Sequence, residues 1–142
     1  MTLLERDFPR LRHCPWERTS PATDDYNCVA WAASDRARWW DPLRYWPDGA
    51  PRERTVEAYA CTFAMILGYE PCGLDVALEA HYEKVVIYAQ GNEPTHMARQ
   101  LPDGRWTSKC GAGQDIAHTL DGLIGDEYGH PILALRRQRT GG

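Results

Sequence analysis

The chain changes its hydrophobic period at Gly68. Before that glycine, Val56, Tyr59, Ala60, Phe63, Ala64 and Leu67 recur at i, i+3, i+4, i+7, i+8 and i+11, which is one face of a 3.6-residue helix. Thr55 can cap its start, and Gly68 sits where a C-terminal glycine cap belongs. After Gly68 the pattern turns to strands. "KVVIYAQ" (84–90) is a β-branched run. "THMARQL" (95–101) and "RWTSKC" (105–110) flank "PDG", a hairpin signal in which Gly104 supplies a positive φ. "HPILALRR" closes the chain as a further strand. One late stretch, "QDIAHTLDGLIG" (114–125), returns to helical spacing at Ile116, Leu120, Leu123 and Ile124, with Asp115 as a candidate cap. Helices first and a mostly antiparallel sheet afterwards predict an α+β fold rather than an alternating α/β one.

The first helix of that plan begins at Cys28. Asn27 is a good N-cap, "CVAWAASDRARWW" carries a stripe at Val29, Ala32, Ala33, Ala37 and Trp40, and Pro42 ends it. Residues 1–23 hold Pro9, Pro15 and Pro21 among polar residues, which predicts an extended lead-in. Residues 24–137 then form a single domain, followed by a flexible tail over 138–142.

Composition narrows the function classes. Net charge is -4, and the basic residues are scattered until the terminal "LRRQRTGG", so neither nucleic acid nor an anionic membrane finds an electrostatic footprint. Glu5, Arg6 and Asp7 stand where a signal peptide would be apolar. No run approaches the roughly 20 apolar residues of a membrane span, and a cytoplasmic protein is expected. Five cysteines with no Cys-x-x-Cys pair indicate neither a zinc ribbon nor a dithiol redox site, and no metal or cofactor is expected. Six tryptophans and seven tyrosines against two phenylalanines point first to core packing. Trp106 is also a candidate wall for a substrate cleft, and the Trp39–Trp46 segment a candidate surface for a protein partner.

The chemistry centres on "DDYNCVAWA" (24–32). A thiol at a helix start has its pKa lowered by the helix, and a neighbouring imidazolium lowers it further. Of five histidines, His13 lies in the lead-in, His81 in a polar turn, His118 inside the late helix and His130 before Pro131. His96 instead opens a strand after the loop "GNEPT", so that its backbone is held by the sheet while its ring stands at the rim. Cys28 and His96 are therefore the candidate reacting pair.

The strings "YNCVAWAA", "LGYEPC", "YEKVVIYA" and "PTHMARQLPDGRWTSK" resemble those of an uncharacterised bacterial family of unknown function. The order of Cys-helix, strand, His-strand and hairpin is similar to the NlpC-type and CHAP-type cell-wall hydrolases. That resemblance implies a papain-like domain, with a cysteine at a helix start packed on a small, mostly antiparallel sheet. It also implies acyl transfer through a thioester on a peptide-like or other amide-containing substrate, with Cys28 attacking and His96 carrying the proton. Tyr26 or Asn27 would join the Cys28 N–H in the oxyanion site. Ser108 and Asp115 are the two candidates for the group that orients His96. The alternative is a non-catalytic binding module on the same fold, with an aromatic groove.

Overall fold

The computed structural model describes residues 2–110 and 113–139. Its strands are β1 (Trp16–Arg18), β2 (Glu70–Pro71), β3 (Tyr82–Gln90), β4 (Glu93–Gln100), β5 (Trp106–Lys109), β6 (Asp115–His118) and β7 (His130–Gln138). Its helices are α1 (Leu3–Asp7), α2 (Cys28–Ala32) and α3 (Val56–Leu67). The strands form one seven-stranded sheet in the order β1-β6-β5-β4-β3-β7-β2, and every pairing is antiparallel. This is a mixed helix-and-strand architecture of the expected α+β kind.

The centre of the sheet is apolar on both faces, which is why "VVIYA" reads as a continuous run rather than an alternating one. Val85, Ile87 and Ala89 face a core shared with α2, α3, Trp40 and Trp46. Val86 and Tyr88 face a second core with Phe8, Leu11, Trp106, Ile116 and Leu123. The α3 helix forms where its pattern places it. The Thr55 hydroxyl accepts from Ala58 N–H at 3.1 Å, and Gly68, at φ +78°, donates to Ala64 O at 3.2 Å, the left-handed cap that glycine permits. The "PDG" hairpin closes with Leu101 N–H on Arg105 O at 2.7 Å and Gly104 at φ +94°.

Four local expectations are corrected. The α2 helix ends at Ala32 instead of running to Pro42. Ser34 turns the chain at φ +65°, and Trp40 comes back to donate its N–H to Asn27 Oδ1 at 3.0 Å. Burial of Trp40 and Trp46 in the core outweighs the helical preference of the alanines. The lead-in is also folded, with α1, a 3₁₀ turn at Pro9–Arg12 and β1. Phe8 and Leu11 are buried, each contributing about 1.5–3 kcal/mol of apolar transfer.

The stretch after Gln114 is a strand, not a helix. Asp115–His118 pairs with β5 on one side and β1 on the other, and only Leu120–Leu123 turns helically, as 3₁₀. Two flanking ladders satisfy more backbone than an isolated short helix would. Asp115 is therefore a strand residue and not a helix cap. Lastly, "GNEPT" is not a loop. Gly91, at φ +61°, and Asn92 join β3 to β4 directly, with Gln90 opposite Glu93, so His96 lies inside the strand. Of the proposed tail, Gln138 ends β7, and residues 140–142 lie outside the described residues.

Candidate active site

Asn27 fixes the start of α2 with its whole side chain. Its Oδ1 accepts from Ala30 N–H at 3.0 Å and from Trp40 N–H, and its Nδ2 donates to Trp40 O at 2.8 Å. Cys28 follows, half-buried, on the wall of a pocket of about 140 Å³ that it shares with Asp41, Arg54, Tyr59, Thr95 and His96. Burial pushes the thiol above its ordinary pKa; the N–H groups of Met97, Val29 and Cys28 itself, and the charge of Lys109, act in the opposite direction. The thiol is protonated at neutral pH. At the pocket mouth Arg54 and Asp41 are paired at 2.6 Å, each holding the other charged.

His96 reaches this pocket from the other side of β4. Strand alternation gives Met97 to the α2 face, whereas His96 packs with Tyr88 and Tyr128 on the opposite face. The β3–β4 register shifts beside it, between Tyr88 and Ala89, and such bulges re-aim side chains. The imidazole is 1% exposed. It stacks flat on Tyr128, with centroids 4.0 Å apart and planes at 9°. Neither ring nitrogen has a hydrogen-bond partner among the described residues. Burial, and secondarily His118, hold its pKa well below the ordinary imidazole range, so His96 is neutral at pH 7.

The other expected site residues are separated from this pair. Ser108 donates to His118 Nε2 at 2.7 Å, and His118 Nδ1 bonds Thr119 O at 2.7 Å. Nδ1 faces a carbonyl and must carry the proton, which leaves Nε2 to accept. Ser108 therefore serves His118, not His96. Asp115 Oδ2 accepts from Ser20 Oγ at 2.7 Å and from Tyr26 Oη at 2.6 Å. That places Asp115 on the α2 face, cross-strand from Lys109, and commits the Tyr26 hydroxyl away from Cys28. The Asn27 side chain is likewise committed to its cap. Trp106 is 4% exposed in the second core and lines a separate surface groove with Asp103 and Thr119, so it does not wall the Cys28 pocket.

Sequence reading passed over Lys109 and Tyr128 as site residues and placed His118 in a helix, whereas it ends β6. Lys109 is fully buried, its Nζ 5.6 Å from the centre of the Tyr26 ring. A period-of-two reading of "SK" and "DIAH" would have put Lys109 with Asp115 on one face and Ser108 with His118 on the other. Tyr128 left no local signal.

The chain belongs to the family described as a domain of unknown function, DUF7689, whose model matches residues 17–136. No curated protein and no solved structure matches it. Among the described residues, no helix is long and apolar enough to cross a membrane.

Proposed function

We propose that the chain is a thiol enzyme of papain-like type acting on an amide or ester bond, with Cys28 as nucleophile and His96 as general base and acid. The observation that carries this reading is a fully buried histidine, both of whose nitrogens are unpartnered among the described residues, on the wall of the pocket that holds Cys28. A buried polar group left unpaired costs about 1–3 kcal/mol, and such groups concentrate where a reaction partner completes them.

In the reaction, Sγ bonds to the carbonyl carbon while its proton passes to the imidazole. The imidazolium then protonates the leaving nitrogen or oxygen as that bond breaks, and water releases the thioester by the reverse route. A neutral imidazole is the form a base requires. Because the thiol is also protonated at rest, proton transfer accompanies attack instead of preceding it. The Cys28 and Met97 N–H groups beside the sulfur are the donors for the developing oxyanion. A pocket of about 140 Å³ holds about four to five water volumes, which suits a small acyl group or a side-chain amide of a peptide-like substrate.

The second reading, a binding module, is favoured by the un-ionised resting state of the thiol and imidazole and by the Arg54–Asp41 pair at the mouth. With Trp40 and Trp46 in the core, the protein-partner surface proposed for the Trp39–Trp46 segment retains the 81% exposed Leu43, exposed Arg44, and half-buried Trp39 and Tyr45.

Acid-quenched mass spectrometry after mixing with p-nitrophenyl acetate separates the two readings. An enzyme gives an acetyl group mapped to Cys28 that turns over in the wild type and is lost in Cys28→Ser. Acetylation spread over surface lysines and Cys61, with none on Cys28, contradicts the catalytic reading.

A further inference from the structure

Among the described residues no side chain hydrogen-bonds the His96 ring, yet the ring is fixed in place by a built device. After the 3₁₀ turn at Leu120–Leu123, the chain folds back so that Gly125 and Gly129 bond each other through both backbone N–H groups, at 3.2 and 2.8 Å. Gly129 adopts φ +71°, and a Cβ there would lie 2.3 Å from Ala89 O, so the returning loop rests on the end of β3 with no room for a side chain. Gln90 Nε2 donates to Asp126 O at 2.6 Å, and the Thr95 hydroxyl donates to the Tyr128 carbonyl. Phe8 backs the Tyr128 ring at 4.8 Å between centroids.

We propose that Tyr128 is the positioning residue of His96, and that the loop 124–129 is the clamp that holds it there. This rests on reading Cys28 and His96 as the reacting pair. A carboxylate or carbonyl orienter fixes an imidazole by occupying one nitrogen. A flat stack at 4.0 Å and 9°, with the edge of Tyr88 at 5.3 Å, fixes the plane and occupies neither. The clamp thus fills the place for which Ser108 and Asp115 were the sequence candidates. The titratable groups around His96 and the Tyr128 ring stacked on it are Tyr88 on β3, His118 on β6, Cys110 after β5, Glu127 on the loop, and Cys28, Asp41, Arg54 and Tyr59 around the pocket.

The test combines NMR of histidine-labelled protein with acetylation kinetics for the wild type, Tyr128→Phe and Tyr128→Leu. Wild-type spectra should show contacts between the His96 and Tyr128 rings. Phe keeps the stack and should hold kcat within about twofold, whereas Leu should lower kcat about tenfold or more at unchanged KM. In the Leu variant the His96 resonances should also titrate nearer the ordinary imidazole range. A Leu variant with wild-type kcat and titration overturns the role of Tyr128. So does the absence of ring contacts in the wild type, a measurement that needs no variant to fold. Ring contacts present in a protein whose Cys28 never acetylates overturn the catalytic reading instead.

Discussion

His96 and His118 are both fully buried and face the same side of the sheet, yet the chain treats them oppositely. His118 has a partner on each nitrogen, Ser108 on one and the Thr119 carbonyl on the other. Among the described residues His96 has a partner on neither, and aromatic rings hold it. The first arrangement completes a polar pair inside a core and fixes the tautomer. The second leaves two hydrogen-bonding sites open at a pocket that contains a thiol. The difference separates a histidine that belongs to the fold from one kept for chemistry.

The largest perturbation of that contrast is Gly129→Ala, which lifts the loop carrying Tyr128 from β3 and leaves His118 untouched. A Cβ 2.3 Å from Ala89 O at positive φ should cost about 3–4 kcal/mol, combining overpacking with left-handed strain, read from urea unfolding midpoints. Acid comes next. Burial lowers the His118 pKa to about 4. As pH falls through about 6.5 the unfolded chain takes up a proton that the folded chain refuses until about 4, so stability is lost across that window. The loss should be about 3 kcal/mol from His118, with His96 adding in the same direction; a urea series from pH 7 to 4 measures it. Ser108→Ala is smaller. It strips His118 Nε2 of its partner and should cost about 1–3 kcal/mol. Smallest is His96→Leu, which removes no hydrogen bond and should change stability by less than about 1 kcal/mol while abolishing acetyl transfer. A loss as large as that of Ser108→Ala would show that His96 is structural after all.

Much of the fold was legible because period and caps agree. Thr55 and Gly68 bound α3, and "PDG" makes its hairpin. The errors arise where tertiary context overrode local signals, by burial in one place and by strand pairing in another. Trp40 and Trp46 cut α2 short, and "QDIAHTL" satisfies both a helical and an alternating pattern until flanking strands decide it. At the site, Cys28 and His96 could be picked from the sequence, because a capped helix start and a strand each fix a side chain locally. Their approach from opposite faces of β4 could not, since it depends on the register shift beside Tyr88. Tyr128 was invisible for the same reason. Its role comes from a loop return fixed by the Gly129–Ala89 contact and by the Gln90 and Thr95 bonds to the loop.

The most direct test of the central claim is the burst of p-nitrophenolate released from p-nitrophenyl acetate, followed against pH in the wild type and His96→Gln. A neutral thiol–imidazole pair predicts a burst whose rate is flat through neutrality and falls only at acid pH, as His96 protonates. In His96→Gln that rate should drop about 10²–10⁴-fold, the usual range for loss of a general base, with the folded state intact. A burst of the same rate and pH profile in both proteins would contradict the pairing of Cys28 with His96.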